Sequence, residues 1–177
     1  ASDWSSDVCS SDLWVDGEFG TINGLKLGKL PNHESPWSEV NAALGCTLYL
    51  VHEIAKALKY TFSNAKLILN GSASSILNLK DGTECALYYE DGFIAGFLRR
   101  GSFNSALTML LGCISELGLF ITTKHGGFKL IYEYVFCIFT HSPHRIKDDK
   151  IDGKSIHPSK EWTKPGKALL VNLKAII

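Results

Sequence analysis

Cys46 and His52 carry a thiol and an imidazole, the groups from which a nucleophile and its base are built. They lie six positions apart in one helical pattern, and residues at that spacing do not face each other. No local signature surrounds either one, so the pair is read as two helix residues and not as a catalytic dyad. His141 and His144 suggest a metal pair, but Pro143 between them prevents a helix and no second pair of ligands has suitable spacing. The glycines from Gly17 to Gly28 contain no G-x-G-x-x-G after a strand and no following phosphate-loop lysine, so they serve turns. Catalytic residues, a metal and a cofactor are therefore not expected.

One segment does have chemistry to offer. Gly92-Phe93-Ile94-Ala95-Gly96-Phe97-Leu98-Arg99-Arg100-Gly101 falls between a strand pattern and a helix start, where connecting residues are ordinarily polar. It presents four large apolar residues, Phe93, Ile94, Phe97 and Leu98, beside two adjacent arginines, Arg99 and Arg100. Glycines at both ends and in the middle favour a protruding loop. The alternative is a short strand tucked into a sheet.

The elements that must position this segment follow from periodicity. A first helix is expected after Pro36, with Val40, Ala43, Leu44, Val51, Ile54, Ala55 and Leu58 on one face and Ser35 as its cap. Leu48 and Leu50 fill other faces, so it should be buried nearly all round. A second helix is expected from Asn104, a good cap, with Ala106, Leu107, Leu110, Leu111, Ile114 and Leu117 inward and Phe103 just before the cap. A third spans about Lys164 to Ile176, capped by Thr163 with Pro165 and Gly166 in its first turn. Strands are expected at Phe19–Ile22, Leu25–Leu30, Lys66–Leu69, Ser75–Leu79, Glu84–Tyr89, Phe128–Thr140 and Lys150–Ile156. Turn signals stand at Asn23-Gly24, Asn70-Gly71, Asp81-Gly82 and Asp152-Gly153. The helices start roughly sixty residues apart, each after a strand group, which predicts an α+β domain with a threefold strand–strand–helix rhythm.

Bulk composition agrees with a single domain. The chain has 177 residues, 45% of them hydrophobic and 20% charged, with Lys+Arg and Asp+Glu both at 18. That balance argues against a nucleic-acid partner. Asp3 to Leu13 lacks hydrophobic periodicity and a signal-peptide pattern, and it looks like one translated frame of a sequencing adapter. Residues 1–13 are therefore set aside as an artefact or disordered tail. Without Asp3, Asp7 and Asp12 the remainder is 18 basic against 15 acidic residues. Cys46, Cys85, Cys113 and Cys137 are scattered, which is reduced, intracellular usage. The uncharged run Gly101–Ser115 is too short for a membrane span.

Three blocks resemble a known family. Phe19-Gly20-Thr21-Ile22-Asn23, Leu27-Gly28-Lys29-Leu30-Pro31 and Trp37-Ser38-Glu39-Val40-Asn41-Ala42-Ala43-Leu44-Gly45 match the order FGTIN, LG-K/R-LP and W-x-E-I/V-N-A-A-x-G that opens the C-terminal domain of the Beclin family, autophagy protein six. Ser102-Phe103-Asn104-Ser105-Ala106-Leu107 fits that family's K/R-F/Y-D-x-A-M helix start. Arg145 to Ile156, then Glu161-Trp162-Thr163-Lys164 and Asn172-Leu173-Lys174, fit its closing blocks. The resemblance covers Trp14 to the end, residues 14–177, and implies three β-sheet–α-helix repeats in one compact domain.

Departures accompany it. Leu44 and Cys46 stand where the family commonly has tryptophan and glutamine, and Pro165-Gly166 replaces Ala-Leu. Glu133 to His144 has no counterpart and reads as an insertion, and the C-terminus reads as truncated.

By resemblance, the domain is not an enzyme. It is expected to be the membrane-binding part of a class III phosphatidylinositol 3-kinase complex, acting in autophagosome formation and endosomal sorting. It would be cytoplasmic and peripheral on phagophore or endosomal membranes, meeting an anionic lipid surface. The family carries an exposed aromatic finger in this segment: Phe97 and Leu98 fall on two finger positions and Arg99 replaces the third aromatic, so Phe93, Ile94, Phe97, Leu98, Arg99 and Arg100 are the expected membrane-binding residues. The rival expectation is a protein–protein docking domain whose apolar loop inserts into another subunit.

Overall fold

Asn-Gly and Asp-Gly pairs set the first turns. A computed structural model describes residues 13–29, 36–90, 95–125, 150–151, 154–155 and 163–177, with 95–100 and the two short strands near residue 150 described through their backbone. Strands β1 (Leu13–Asp16), β2 (Phe19–Ile22) and β3 (Leu25–Leu27) form an antiparallel sheet in that order. Asn23 and Gly24 have φ of 51° and 73°, so both central residues of the β2–β3 turn are left-handed, the conformation that suits an Asn-Gly hairpin. β1 was not among the expected strands. Its first residue, Leu13, is buried and pairs with Ile22. β3 stops at Leu27 and not at Leu30, because Gly28 leaves the strand conformation at φ 136°.

Helix α1 (Trp37–Ala57) follows, with Val40, Ala43, Leu44, Leu48, Leu50 and Val51 all buried, as the apolar residues on several faces predicted. Pro36 occupies the cap position, its carbonyl accepting from the N–H groups of Glu39 and Val40; the expected cap Ser35 lies outside the described residues. The helix ends where Lys59 turns left-handed at φ 53° and Tyr60 N–H donates back to Ala55 O at 2.8 Å.

The second sheet is again antiparallel: β4 (Ala65–Ile68), β5 (Ser75–Asn78), β6 (Glu84–Ala86). Asn70-Gly71 does not make a tight hairpin. It opens a longer connection with a 3-10 turn at Gly71–Ala73, closed by Ser74 Oγ, which donates to Gly71 O at 2.7 Å and accepts from Asn70 N–H at 3.0 Å. This turn lies against α1 at Gly45, where a Cβ would run into the Gly71 carbonyl. β6 ends at Ala86, short of the expected Tyr89.

Helix α2 (Ala95–His125) packs on β5 and β6. It starts at Ala95 and not at Asn104, so the expected loop from Ala95 to Phe103 is helical backbone. Leu98, Arg99 and Arg100 are good helix formers, and extending an existing helix costs far less than nucleating one, so two glycines do not stop it. Gly101–Lys124 has the length and apolar composition to cross a membrane, beyond what the uncharged run predicted. Here, however, Phe103, Ala106, Leu110, Cys113, Ile114 and Leu117 face the domain core.

The segment expected as strand over Lys150–Ile156 forms a hairpin of β7 (Lys150–Ile151) and β8 (Lys154–Ser155), the two strands flanking the Asp152-Gly153 turn signal in the sequence. The expected strand Phe128–Thr140 and the insertion Glu133–His144 lie outside the described residues. Helix α3 (Thr163–Ile176) closes the element order and lies across the first sheet. Its Pro165 sits in the first turn, where a missing N–H costs nothing. A Cβ on Gly166 would meet Leu27 O at 2.6 Å, and one on Gly20 would meet Leu170 Cδ1 at 2.9 Å and Lys167 Cα at 3.1 Å. Lys167 Nζ donates to Gly17 O at 2.8 Å across the same contact. The class is α+β, as the sequence predicted, with helices laid against small antiparallel sheets.

These contacts order the glycines by cost. Gly45→Ala and Gly166→Ala should each destabilise by about 1–3 kcal/mol, because backbone must move to admit the methyl group. Gly112→Ala, which meets nothing within 4 Å, should instead stabilise by about 0.4–1 kcal/mol. Urea midpoints of the three variants check the order.

Candidate docking site at the start of the second long helix

Asn41 is a polar residue on the buried side of α1, at 8% exposure between Val40 and Ala43. Its amide meets the backbone of Tyr89 on both sides: Nδ2 donates to Tyr89 O at 2.8 Å, and Oδ1 accepts from Tyr89 N–H at 2.9 Å. A side-chain amide has the donor–acceptor pair of a peptide group. Asn41 therefore does for Tyr89 what a neighbouring strand would do, just where β6 has ended. Three rings lock the same place. Trp37 lies 4.5 Å from Tyr89 and 5.8 Å from Phe103 between centroids, and Tyr89 lies 6.0 Å from Phe103, in the tilted and edge arrangements that ring quadrupoles favour. Lys29 Nζ sits 4.8 Å from the Trp37 ring centroid. From the other side, Ser102 Oγ accepts from Ala86 N–H at 2.9 Å, tying the helix to the edge of β6.

The result is a rigid base holding both flanks of the Gly92–Gly101 segment, at Tyr89 and at Ser102–Phe103. Phe93 and Ile94 lie outside the described residues. Phe97, Leu98, Arg99 and Arg100 fall in the first turns of α2, with helical backbone. The sequence reading missed the clamp. Its signal was available: a single asparagine set among the apolar positions of a helix buried nearly all round.

Asn104, expected as a cap, sits inside the helix at 7% exposure, and its Oδ1 has no hydrogen-bond partner. Further along α2, Glu116 accepts from Tyr60 OH at 2.9 Å, and from Ser63 Oγ at 3.3 Å and Ser63 N–H at 3.4 Å, fastening the α1–β4 connection to the helix. Burial first, then the hydrogen bond to Glu116 and its charge, raise the Tyr60 hydroxyl above its ordinary value.

Two of the described thiols are held in the protonated form. Burial, with the Glu116 charge beside it, pushes Cys113 up to about 12, and burial with the Asp81 charge raises Cys85. Both move away from the thiolate. Cys46 is half-buried and accepts from Asn23 Nδ2 at 3.7 Å, while His52 lies 4.0 Å from the Glu53 carboxylate, so the structure does not pair the two. Among the described residues no group of His, Cys, Asp and Glu is arranged to hold a metal ion. His141 and His144 lie outside them.

Two measurements follow from this geometry. Asn41→Ala should lower stability by about 1–3 kcal/mol for each Tyr89 backbone group left buried and unpaired, and should abolish hydrogen-exchange protection of the Tyr89 amide. Cys113 holds its proton more tightly folded than unfolded, where its ordinary value is 9.0. Its contribution is therefore whole below pH 9 and is lost as pH rises from about 9 toward 12. Thermal midpoints should fall over that window, and Cys113→Ala should make the fall shallower.

Comparison with known proteins shows the family. The Apg6 BARA domain profile matches residues 9–177. The chain is 35% identical over 174 residues to Beclin-1-like protein B of Dictyostelium discoideum, covering 93% of this chain and 19% of that protein. It is 31% identical over 169 residues to Beclin-1 of Danio rerio, covering 92% and 36%. It is 30% identical over 166 residues to the Beclin-1-like protein of Drosophila melanogaster, covering 92% and 37%. The chain thus spans between about a fifth and little more than a third of these relatives. The asparagine and tryptophan of the clamp belong to the same block that carried the sequence resemblance, and the chain belongs to the Beclin family through an Apg6 BARA domain.

Proposed function

We propose that this autophagy-related Beclin domain is a non-catalytic docking module that meets an anionic membrane surface through Phe93 to Arg100. It would act within a class III phosphatidylinositol 3-kinase complex in autophagosome formation and endosomal sorting, at the cytoplasmic face of phagophore or endosomal membranes. The observation that supports the reading is that Tyr89 and Phe103, which flank the apolar run ending in Arg99-Arg100 in the sequence, are packed together with Trp37. An apolar group on a rigid support loses less freedom when it docks than one on a slack loop.

Magnitudes fit a peripheral contact. Burying two phenylalanines, an isoleucine and a leucine at about 1.5–3 kcal/mol each gives several kcal/mol before ordering costs. An arginine near an anionic leaflet contributes about 1 kcal/mol. Such sums support reversible, composition-sensitive docking and not anchoring. The non-catalytic reading is supported by the raised thiols and the separated Cys46 and His52. The second reading, insertion into another subunit, uses the same residues and draws on the same apolar run.

Phe97→Asp with Leu98→Asp should leave the thermal midpoint within a few degrees of the parent yet abolish sedimentation with phosphatidylserine-containing vesicles. Arg99→Glu with Arg100→Glu should weaken sedimentation with anionic vesicles alone, and 0.5 M salt should mask the difference. If both double variants sediment with vesicles as the parent does, the membrane reading is wrong and the subunit-docking reading stands.

A further inference from the structure

Asn104 is a residue at 7% exposure whose Oδ1 is a buried acceptor with no donor, well inside α2. Such an orphan calls for a conformation in which it is satisfied. One lies close at hand. If the backbone from Ala95 to Phe103 leaves the helical conformation, the N–H groups of Ala106 and Leu107 lose their carbonyl partners at Ser102 and Phe103. They then stand two and three residues past Asn104, the positions that an asparagine cap serves. The same atom that is unpaired in the long helix becomes the cap of a shorter one.

Three further observations favour two states. Gly96 and Gly101 sit within the stretch that would unwind, and glycine is the weakest helix former after proline. A Cβ on Gly101 would meet nothing within 4 Å, so no close approach requires glycine there. Ser102 and Phe103 are held by Ala86 N–H and by the Trp37 and Tyr89 rings, contacts made by side chains that do not require helical backbone before Asn104. The hinge is therefore pinned at Ser102 and Phe103.

We propose that residues 95–103 are a helix–coil switch, closed as the first turns of α2 and open as a segment released from a helix capped by Asn104. Opening would lengthen the reach of Phe97 and Leu98 from the base. That use rests on the docking reading above, whereas the switch itself does not.

Hydrogen exchange on the isolated domain, without vesicles, tests the switch. The amides of Arg99 to Ser105 should exchange together, with a sharp step in protection between Ser105 and Thr108, since every N–H from Thr108 onward keeps its carbonyl in both states. Asn104→Ala removes both the orphan and the cap and should slow exchange of those amides by at least about tenfold. Gly101→Ala should slow them by about fivefold, the Ala-over-Gly helix preference alone. Protection that rises gradually along the helix, as ordinary end fraying gives, would overturn the proposal. So would an Asn104→Ala variant that folds with unchanged exchange. Adding phosphatidylserine vesicles separates the two claims: a step present in their absence with no response to them keeps the switch and sinks only the membrane reading.

Discussion

A single side-chain amide substitutes for a missing strand. β6 stops at Ala86, yet Tyr89 beyond it is still buried, and buried peptide groups need partners. Asn41 supplies both at once to Tyr89, and in doing so fixes the sheet-to-helix crossing against α1. The rings of Trp37, Tyr89 and Phe103 then fill the space around that crossing. The hydrogen bonds of Asn41, the three rings and the Ser102 bond to Ala86 together fix Tyr89 and the Ser102–Phe103 turn of α2.

Close backbone approach is the second constraint. Sheets this small bury little area, so the helices must come near to exclude water. Gly45 admits the 3-10 turn to α1, and Gly20 with Gly166 lets α3 lie directly on the first sheet. The replacement of Ala-Leu by Pro165-Gly166 gains a structural meaning here. Proline is tolerated in a first turn, and the glycine stands where any side chain would strike the Leu27 carbonyl. What looked from the sequence like a weakened helix is a helix packed closer.

Polar groups in the interior serve the fold. Cys85 and Cys113 are buried among apolar residues and pushed toward the protonated form, and Glu116 is a staple between α2 and the α1–β4 connection.

Local rules were enough for much of this protein. The 3.6-residue period marked α1 and most of α2, Asn23-Gly24 marked its hairpin, and the β-then-helix order marked the α+β class, because each depends on residues near in sequence. The Beclin blocks likewise stood in the primary structure. Tertiary contacts decided the rest. Leu13 reads as part of a featureless tail until Ile22 pairs with it. Asn104 reads as a cap, but helix propagation runs past it to Ala95 once Ser102 and Phe103 are fixed by partners on β6 and α1. Asn41 reads as a blemish in an apolar helix, and its role exists only when Tyr89, far along the chain, arrives beside it. A hydrogen bond between distant residues leaves no period in the sequence, so only the folded chain could reveal where the candidate site is held.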